Sequence, residues 1–192
     1  MRLILVRHGE SEHNRLRIHN ANDTPLSELG REQARRTALR LLEERIDVAY
    51  TSTLPRAIET AETILAYHPH VHLVQDARIR EKDNGVLAGK PYGIRSELAR
   101  QHGVLEEEYV PEQGESLAMA CARTQEFTRE LLALPYRTHV LIVSHGGPLG
   151  TILSTVAKER EQQPLSNTGL TIVDVNEQRQ GRLYIFNSTD HL

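Results

Sequence analysis

The chain has 192 residues, 39% apolar and 26% charged, with a formal net charge of -3. That balance is globular rather than disordered and excludes the overall basic footprint of a nucleic-acid-binding protein, while 4% aromatics and no tryptophan argue against a base-stacking platform. The single cysteine, Cys121, excludes an intrachain disulfide.

No apolar run approaches the roughly 20 residues of a membrane span. The amino-terminal residues lack the regions of a signal peptide, so a cytoplasmic protein without membrane partners is expected. The length suits one domain, residues 1–192, with a sizeable core.

Leu3-Ile4-Leu5-Val6 is a short apolar run, the pattern of a strand buried on both faces. It ends abruptly in Arg7-His8-Gly9, which places polar groups where open α/β sheets bind ligands. Residues 22–30 are rich in turn formers and predict surface loop with at most one helical turn. From Arg31 the spacing of Ala34, Ala38, Leu41 or Leu42 and Ile46 predicts an amphipathic helix. Val48 to Thr51 is a second short strand.

Ser52-Thr53-Leu54-Pro55 carries helix start signals. Ala57, Ala61, Ile64 and Leu65 mark the buried face of that helix. Arg56 falls in its first turn, where a cation opposes the helix dipole, so a bound anion is the expected partner. Val71 to Val74 is a third strand. Its neighbours His68, His70 and His72 read as surface or edge residues. Strand and helix alternate, which predicts a three-layer α/β sandwich with a mostly parallel central sheet.

From Asp76 to Glu115, charges, glycines and prolines break the pattern, apart from a helix from residue 93 or 94 to 101. Compact domains seldom keep so much irregular chain without a use, so residues 82–115 are expected to be a lid or specificity insertion. Glu106, Glu107 and Glu108 read as a solvated acidic stretch.

Ser116 caps a helix striped by Leu117, Ala120, Cys121, Thr124, Phe127, Leu131 and Leu134, on which Cys121 reads as a small buried hydrophobe. His139 to Ser144 is a second buried strand ending in His145-Gly146-Gly147. Pro148 to Ala157 then continues helically. Two late strands, Gly169–Val175 and Gly181–Asn187, pair with each other or flank a central strand.

Two histidines at strand ends raise the choice between metal and covalent chemistry. Metal-ligand spacings are missing: no His-Glu-x-x-His, no paired cysteines, no acidic triad beside either histidine. Arginines recur instead, and their forked donors suit an oxyanion such as phosphate. A neutral histidine can then act as a nucleophile.

Six ordered segments resemble the histidine phosphatase superfamily, also called phosphoglycerate mutase-like. They are Leu5 to Asn14, Thr24 to Ala34, Thr51 to Ala61, Arg80-Glu81 with Gly85 and Gly89, Gly114-Glu115-Ser116, and Ser144 to Gly147. The resemblance implies a two-step phosphoryl transfer with no metal and no cofactor. His8 would be the nucleophile. Arg7, Arg56, Asn14, Gly146 and a cationic His145 would hold the phosphate. Glu81 would donate and then recover a proton, with Asp83 and Glu115 as rivals for that role.

His13 stands where mutases of the family carry tryptophan, and Val86-Leu87 where an aromatic is common. The chain is also short for a mutase. A phosphomonoester hydrolase acting on a small phosphorylated metabolite is therefore expected, with the mutase reaction or a non-enzymatic phospholigand-binding protein as alternatives. His13, Val86, Leu87, Tyr92, Ile94 and Tyr109 are the candidate leaving-group pocket. A homodimer would use the late strands or the insertion.

Overall fold

The computed structural model describes residues 1–157 and 164–192. Strand β1 (Arg2–Arg7) buries Leu3, Ile4, Leu5 and Val6 completely. It lies between β4 (His139–Ser144), parallel, and β5 (Leu170–Val175), antiparallel. With β2 (Val48–Thr51), β3 (Leu73–Gln75) and β6 (Gly181–Ser188), the described strands order as β3-β2-β4-β1-β5-β6. Only β5 runs against its neighbours, so the sheet is mixed but mostly parallel. The late strands pair with each other, and β5 also flanks β1, so both pairings left open by the sequence occur.

The alternation of side chains builds two cores. Ile4, Val6, Leu141 and Val143 face Ala38, Ala57, Ala61 and Ile64 of helices α2 (Glu28–Arg40) and α3 (Pro55–Leu65). Leu3, Leu5, Val140 and Ile142 face Phe127, Leu131, Leu149 and Ile152 of α5 (Leu117–Ala133) and α6 (Gly146–Val156). Each buried leucine or isoleucine contributes about 1.5–3 kcal/mol. This double cover fixes the backbone beneath Arg7-His8 and Ser144-His145.

Several boundaries differ from expectation. Helix α2 starts at Glu28 rather than Arg31, because the Ser27 hydroxyl accepts the Gly30 N–H at 3.0 Å. Gly30 is tolerated there for a packing reason: a Cβ on it would lie 2.0 Å from the Glu10 carbonyl oxygen, and one on Gly9 would lie 2.4 Å from the Gly30 oxygen. The two glycines let the loop after β1 touch α2 backbone to backbone. Strand β3 sits later than the expected Val71–Val74, and α6 begins at Gly146, two residues ahead of Pro148. A short helix α1 (Glu12–Arg15), capped by Ser11, was not signalled.

On α5, Cys121 is half-buried, with its Sγ 3.6 Å from the Thr151 hydroxyl, and Leu117 is exposed. His68 is buried, its Nε2 3.2 Å from the Leu41 carbonyl, while His70 and His72 are exposed.

Between β3 and α5 the expected helix appears as α4 (Ile94–Gln101). This segment is zipped to the loop after α1. The His19 N–H donates to the Lys90 carbonyl (2.8 Å), Gly89 returns a bond to the His19 carbonyl (2.9 Å), and Ile18 bridges Pro91. No helix among the described residues is long and apolar enough to cross a membrane.

Candidate active site

Register decides the site. Arg7 pairs with Ser144, so the next residues, His8 and His145, emerge side by side at the carboxyl ends of β1 and β4. Their ring centroids are 4.9 Å apart at 60°. Both are buried, at 2% and 0% exposure.

His8 is held from several sides. Its N–H donates to the Ser144 carbonyl (2.9 Å), and its carbonyl accepts from the Asn167 amide (3.0 Å) and the Thr168 N–H (3.3 Å). Its Nδ1 lies 2.6 Å from the Gly9 carbonyl oxygen. A carbonyl only accepts, so Nδ1 carries the proton and Nε2 keeps a lone pair. Gly9 N–H in turn donates to the Thr60 hydroxyl (3.2 Å), which donates to the Arg56 carbonyl (2.7 Å), tying this loop to α3.

His145 Nε2 is 2.8 Å from the Ser52 hydroxyl, and its Nδ1 is buried without a partner. Arg56 is 1% exposed; its guanidinium donates to the Ala21 carbonyl (3.1 Å), and its Nε is buried and unpaired. Arg7 donates to the Leu165 carbonyl and also has an unpaired, buried Nε. Among the described residues, neither arginine has a carboxylate within ion-pair distance. Buried cations without counter-ions cost several kcal/mol each, so an anion in this pocket would offset that cost.

The electrostatics agree. Burial, then Arg56 and Arg7, push the His8 pKa well below the ordinary histidine value. Burial, Arg56, His8 and Arg7 do the same to His145. Burial lowers Arg56 to about 10, against the pull of Glu81, and lowers Arg7 as well. Burial and the neighbouring arginines thus favour the neutral form of His145. An arriving phosphate dianion favours charged forms and would push both histidines back up.

The carboxylates separate by their partners. Glu115 is bound by both arms of Arg123 (3.0 and 2.8 Å) and by the Asp83 N–H (3.0 Å). Arg123 also donates to the carbonyls of Arg78, Arg80 and Glu81, so this pair staples the loop that carries Glu81. Asp83 accepts from Gly85 N–H (2.8 Å) and Asn22 (3.1 Å). Among the described residues Glu81 accepts only main-chain N–H groups, from Lys82 at 3.0 Å and Gly147 at 3.4 Å, and it is attracted to Arg7 and Arg56. Gly147 makes room for it, since a Cβ there would lie 2.6 Å from Glu81 Oε1.

Asn14 joins the site through its amide. Its oxygen accepts from Asn167 (3.3 Å) and its nitrogen donates to the Tyr92 hydroxyl (3.1 Å). Gly146 opens α6 with free space where a side chain would stand, so main-chain N–H groups at the positive helix end are accessible. His13 anchors the 19–24 loop, its Nδ1 3.1 Å from the His19 carbonyl and 3.2 Å from the Thr24 hydroxyl.

The expected leaving-group pocket divides. Tyr92 reaches the site. Leu87 is buried, and Ile94 is half-buried at the start of α4. Val86 and Tyr109 line a separate cavity of about 560 Å³ with His102, Val104 and Val110. The reason is that the insertion folds on itself, Val86 N–H bonding the Glu112 carbonyl at 3.0 Å and Glu115 N–H the Asp83 carbonyl at 3.0 Å.

Sequence reading missed Ser52, Thr60, Asn167 and Thr168. Ser52 read as a helix start signal, whereas Leu54 is the N-cap of α3 and makes no side-chain capping bond. Asn167 and Thr168 belong to no motif and no element that the sequence pattern singles out. Among the described residues no three histidine, cysteine, aspartate or glutamate side chains are grouped as a metal would need.

A phosphoglycerate mutase-like sandwich with paired imidazoles at the ends of adjacent parallel strands, and two buried arginines without a carboxylate in ion-pair distance among the described residues, is the architecture of a histidine-phosphatase-type hydrolase. The chain belongs to the histidine phosphatase superfamily (branch 1), whose family model matches residues 3–188. It is 35% identical over 184 residues to the probable phosphoglycerate mutase GpmB of Proteus mirabilis (strain HI4320), an alignment covering 91% of this chain and 85% of that one. YhfR of Bacillus stearothermophilus superposes with a TM-score of 0.83 at 29% identity, covering 99% of this chain and 98% of that chain. A mycobacterial glucosyl-3-phosphoglycerate phosphatase in complex with VO3 superposes at 0.80 and 26% identity, covering 98% of this chain and 99% of that chain.

Proposed function

We propose that this protein hydrolyses a small phosphomonoester through a phosphohistidine at His8 Nε2, without a metal ion. One observation carries the reading: Nδ1 is tied to the Gly9 carbonyl, which leaves the Nε2 lone pair beside two arginines whose Nε atoms are buried without a partner among the described residues.

In the first step Nε2 attacks phosphorus and the bond to the leaving oxygen breaks. Glu81, entering as a carboxylic acid, gives its proton to that oxygen. In the second step the Glu81 carboxylate takes a proton from water, and the water oxygen attacks phosphorus. The P–N bond breaks, its electron pair returns to Nε2, and inorganic phosphate leaves. One group serves as acid and then as base, as the reversal of the chemistry requires. Arg7, Arg56, Asn14, His145 and the first N–H groups of α6 face the oxygens on which charge develops. Each such preorganised donor is worth about 2.7–4 kcal/mol.

Departures at His13 and at Val86-Leu87 favour a phosphatase over a mutase. The name of the Proteus mirabilis relative favours phosphoryl transfer between the positions of a phosphoglycerate. Isomerisation primed with bisphosphate that far outpaces phosphate release would select the second reading.

The primary test is hydrolysis of p-nitrophenyl phosphate in excess chelator. Turnover is expected to persist there, to vanish in His8→Ala, and to proceed through an acid-labile phosphoenzyme. Absence of turnover on several phosphomonoesters from about pH 5 to 8, or activity that chelator removes and metal restores, would overturn the proposal.

A further inference from the structure

Ser52 leaves β2 at the point where β4 delivers His145. Thr51 pairs with Val143, and the Ser52 N–H donates to the Val143 carbonyl at 3.1 Å. Ser52 and His145 therefore emerge together at the carboxyl ends of neighbouring parallel strands, both at 0% exposure. The Ser52 Oγ stands 2.8 Å from His145 Nε2 and accepts the Leu54 N–H at 3.2 Å. Pro55 and Arg56 follow directly, so this hydroxyl lies at the root of the helix that carries Arg56.

The donors and acceptors around this hydroxyl decide where the ring proton sits. Among the described residues, no carbonyl or carboxylate accepts from Ser52, and Nε2 is the acceptor within reach. A buried hydroxyl proton without an acceptor is costly. If Nε2 carried the ring proton, the Ser52 oxygen would receive two donors and its own proton would be stranded. With the lone pair on Nε2, the Leu54 N–H, the hydroxyl proton and Nε2 all find partners. The proton of a neutral His145 then belongs to Nδ1, the nitrogen that is buried without a partner.

Resting on the phosphohistidine reading above, we propose that Ser52 is a positioning residue that fixes His145 as the Nδ1–H tautomer, so that a neutral imidazole donates to an oxygen of the phosphoryl group at His8. The separation suits this, since the two ring centroids are 4.9 Å apart. The same contact opposes protonation at Nε2, because an imidazolium would strand the hydroxyl proton. Burial beside Arg56 disfavours a charged His145, and the fixed tautomer supplies a donor without that charge. The two histidines then have opposite settings. The Gly9 carbonyl holds the proton of His8 on Nδ1 and leaves a lone pair at Nε2; Ser52 holds the lone pair of His145 on Nε2 and leaves a proton at Nδ1. One ring is set to attack and the other to donate.

The test reads the tautomer directly. Long-range 1H–15N NMR of the histidine rings in 15N-labelled protein at about pH 7, with the His145 signals assigned by their loss in His145→Gln, should show a protonated Nδ1 and an unprotonated Nε2. Saturation with inorganic phosphate should shift the Nδ1 signals and leave Nε2 unprotonated. Ser52→Ala should move the ring toward a mixture of tautomers and lower kcat/KM about tenfold, the order of one hydrogen bond, while Ser52→Thr keeps the hydroxyl and most of the rate. An Nε2–H tautomer or an imidazolium in the wild-type protein, free or with phosphate, would overturn the proposal. So would a tautomer unmoved by Ser52→Ala. These signals do not depend on turnover: the expected tautomer and phosphate response in a protein without phosphatase activity would support the role of Ser52 and count against hydrolysis at His8.

Discussion

Replacing Gly147 by alanine should displace the Glu81 carboxylate while leaving the fold intact. The added methyl group would sit 2.6 Å from Glu81 Oε1, about 0.8 Å short of ordinary contact at 3.4 Å. Gly147 is exposed in the first turn of α6 and its φ is not in the left-handed region, so the backbone accepts alanine without strain. Alanine is worth about 0.5–1 kcal/mol over glycine inside a helix, so the melting temperature should hold or rise. The carboxylate is the flexible partner and must give way, losing the 3.4 Å bond from the Gly147 N–H. A misplacement near 1 Å costs about a hundredfold in a positioned reaction.

The loss should depend on the leaving group. An alkyl phosphate needs its alkoxide protonated, whereas p-nitrophenolate departs without help. Rapid-quench measurement of the first turnover should show phosphorylation by an alkyl phosphate slowed about a hundredfold and phosphorylation by p-nitrophenyl phosphate much less. Equal losses in the first turnover would mean that the methyl disturbs the phosphate cradle instead. Unchanged activity on both would remove Glu81 from the role of proton donor.

Stability should fall in acid because His8 and His145 are buried neutral, with pKa values well below 6.5. The unfolded chain takes up these protons near 6.5, so their contribution is complete above that pH and declines below it, by about 1.4 kcal/mol per unit from each until the folded values are reached. Urea unfolding between about pH 5 and 7 should show this slope reduced by about that amount in His8→Asn, and an unchanged slope would contradict the buried-neutral reading. Arg56→Lys keeps the charge but loses the planar fork, and kcat/KM should drop ten- to a hundredfold, about the value of one charged hydrogen bond. Retention of full activity would show that Arg56 acts as a point charge alone.

Much of the scaffold was legible locally. Four consecutive buried residues, Leu3 to Val6, and their counterparts Val140 to Val143 announced doubly covered strands, and each ended in a histidine. The helical stripes placed Ala38, Ala57, Ala61 and Ile64 on buried faces because side-chain periodicity is a property of the backbone itself. Less legible were the element ends. Ser27 and Ser52 carry the same cap signal, and only Ser27 caps a helix, since Ser52 sits at the end of β2 where His145 engages its hydroxyl.

Returning to the two strand ends, the sequence alone determined that Arg7-His8 and Ser144-His145 lie at polar exits from buried strands, with Arg56 in a helix start that suits an anion. It did not determine that they meet. That depends on β1 and β4 being neighbours in register, a pairing between distant parts of the chain that no local pattern encodes. Nor could sequence say which carboxylate stays free, since Glu115 is spent on Arg123 only because α5 packs against the Glu81 loop. The same holds for the depressed pKa values of His8 and His145, which arise from burial and from arginines brought close by folding. Desolvation and proximity are properties of the packed molecule, and they shift two otherwise ordinary imidazoles toward the neutral form.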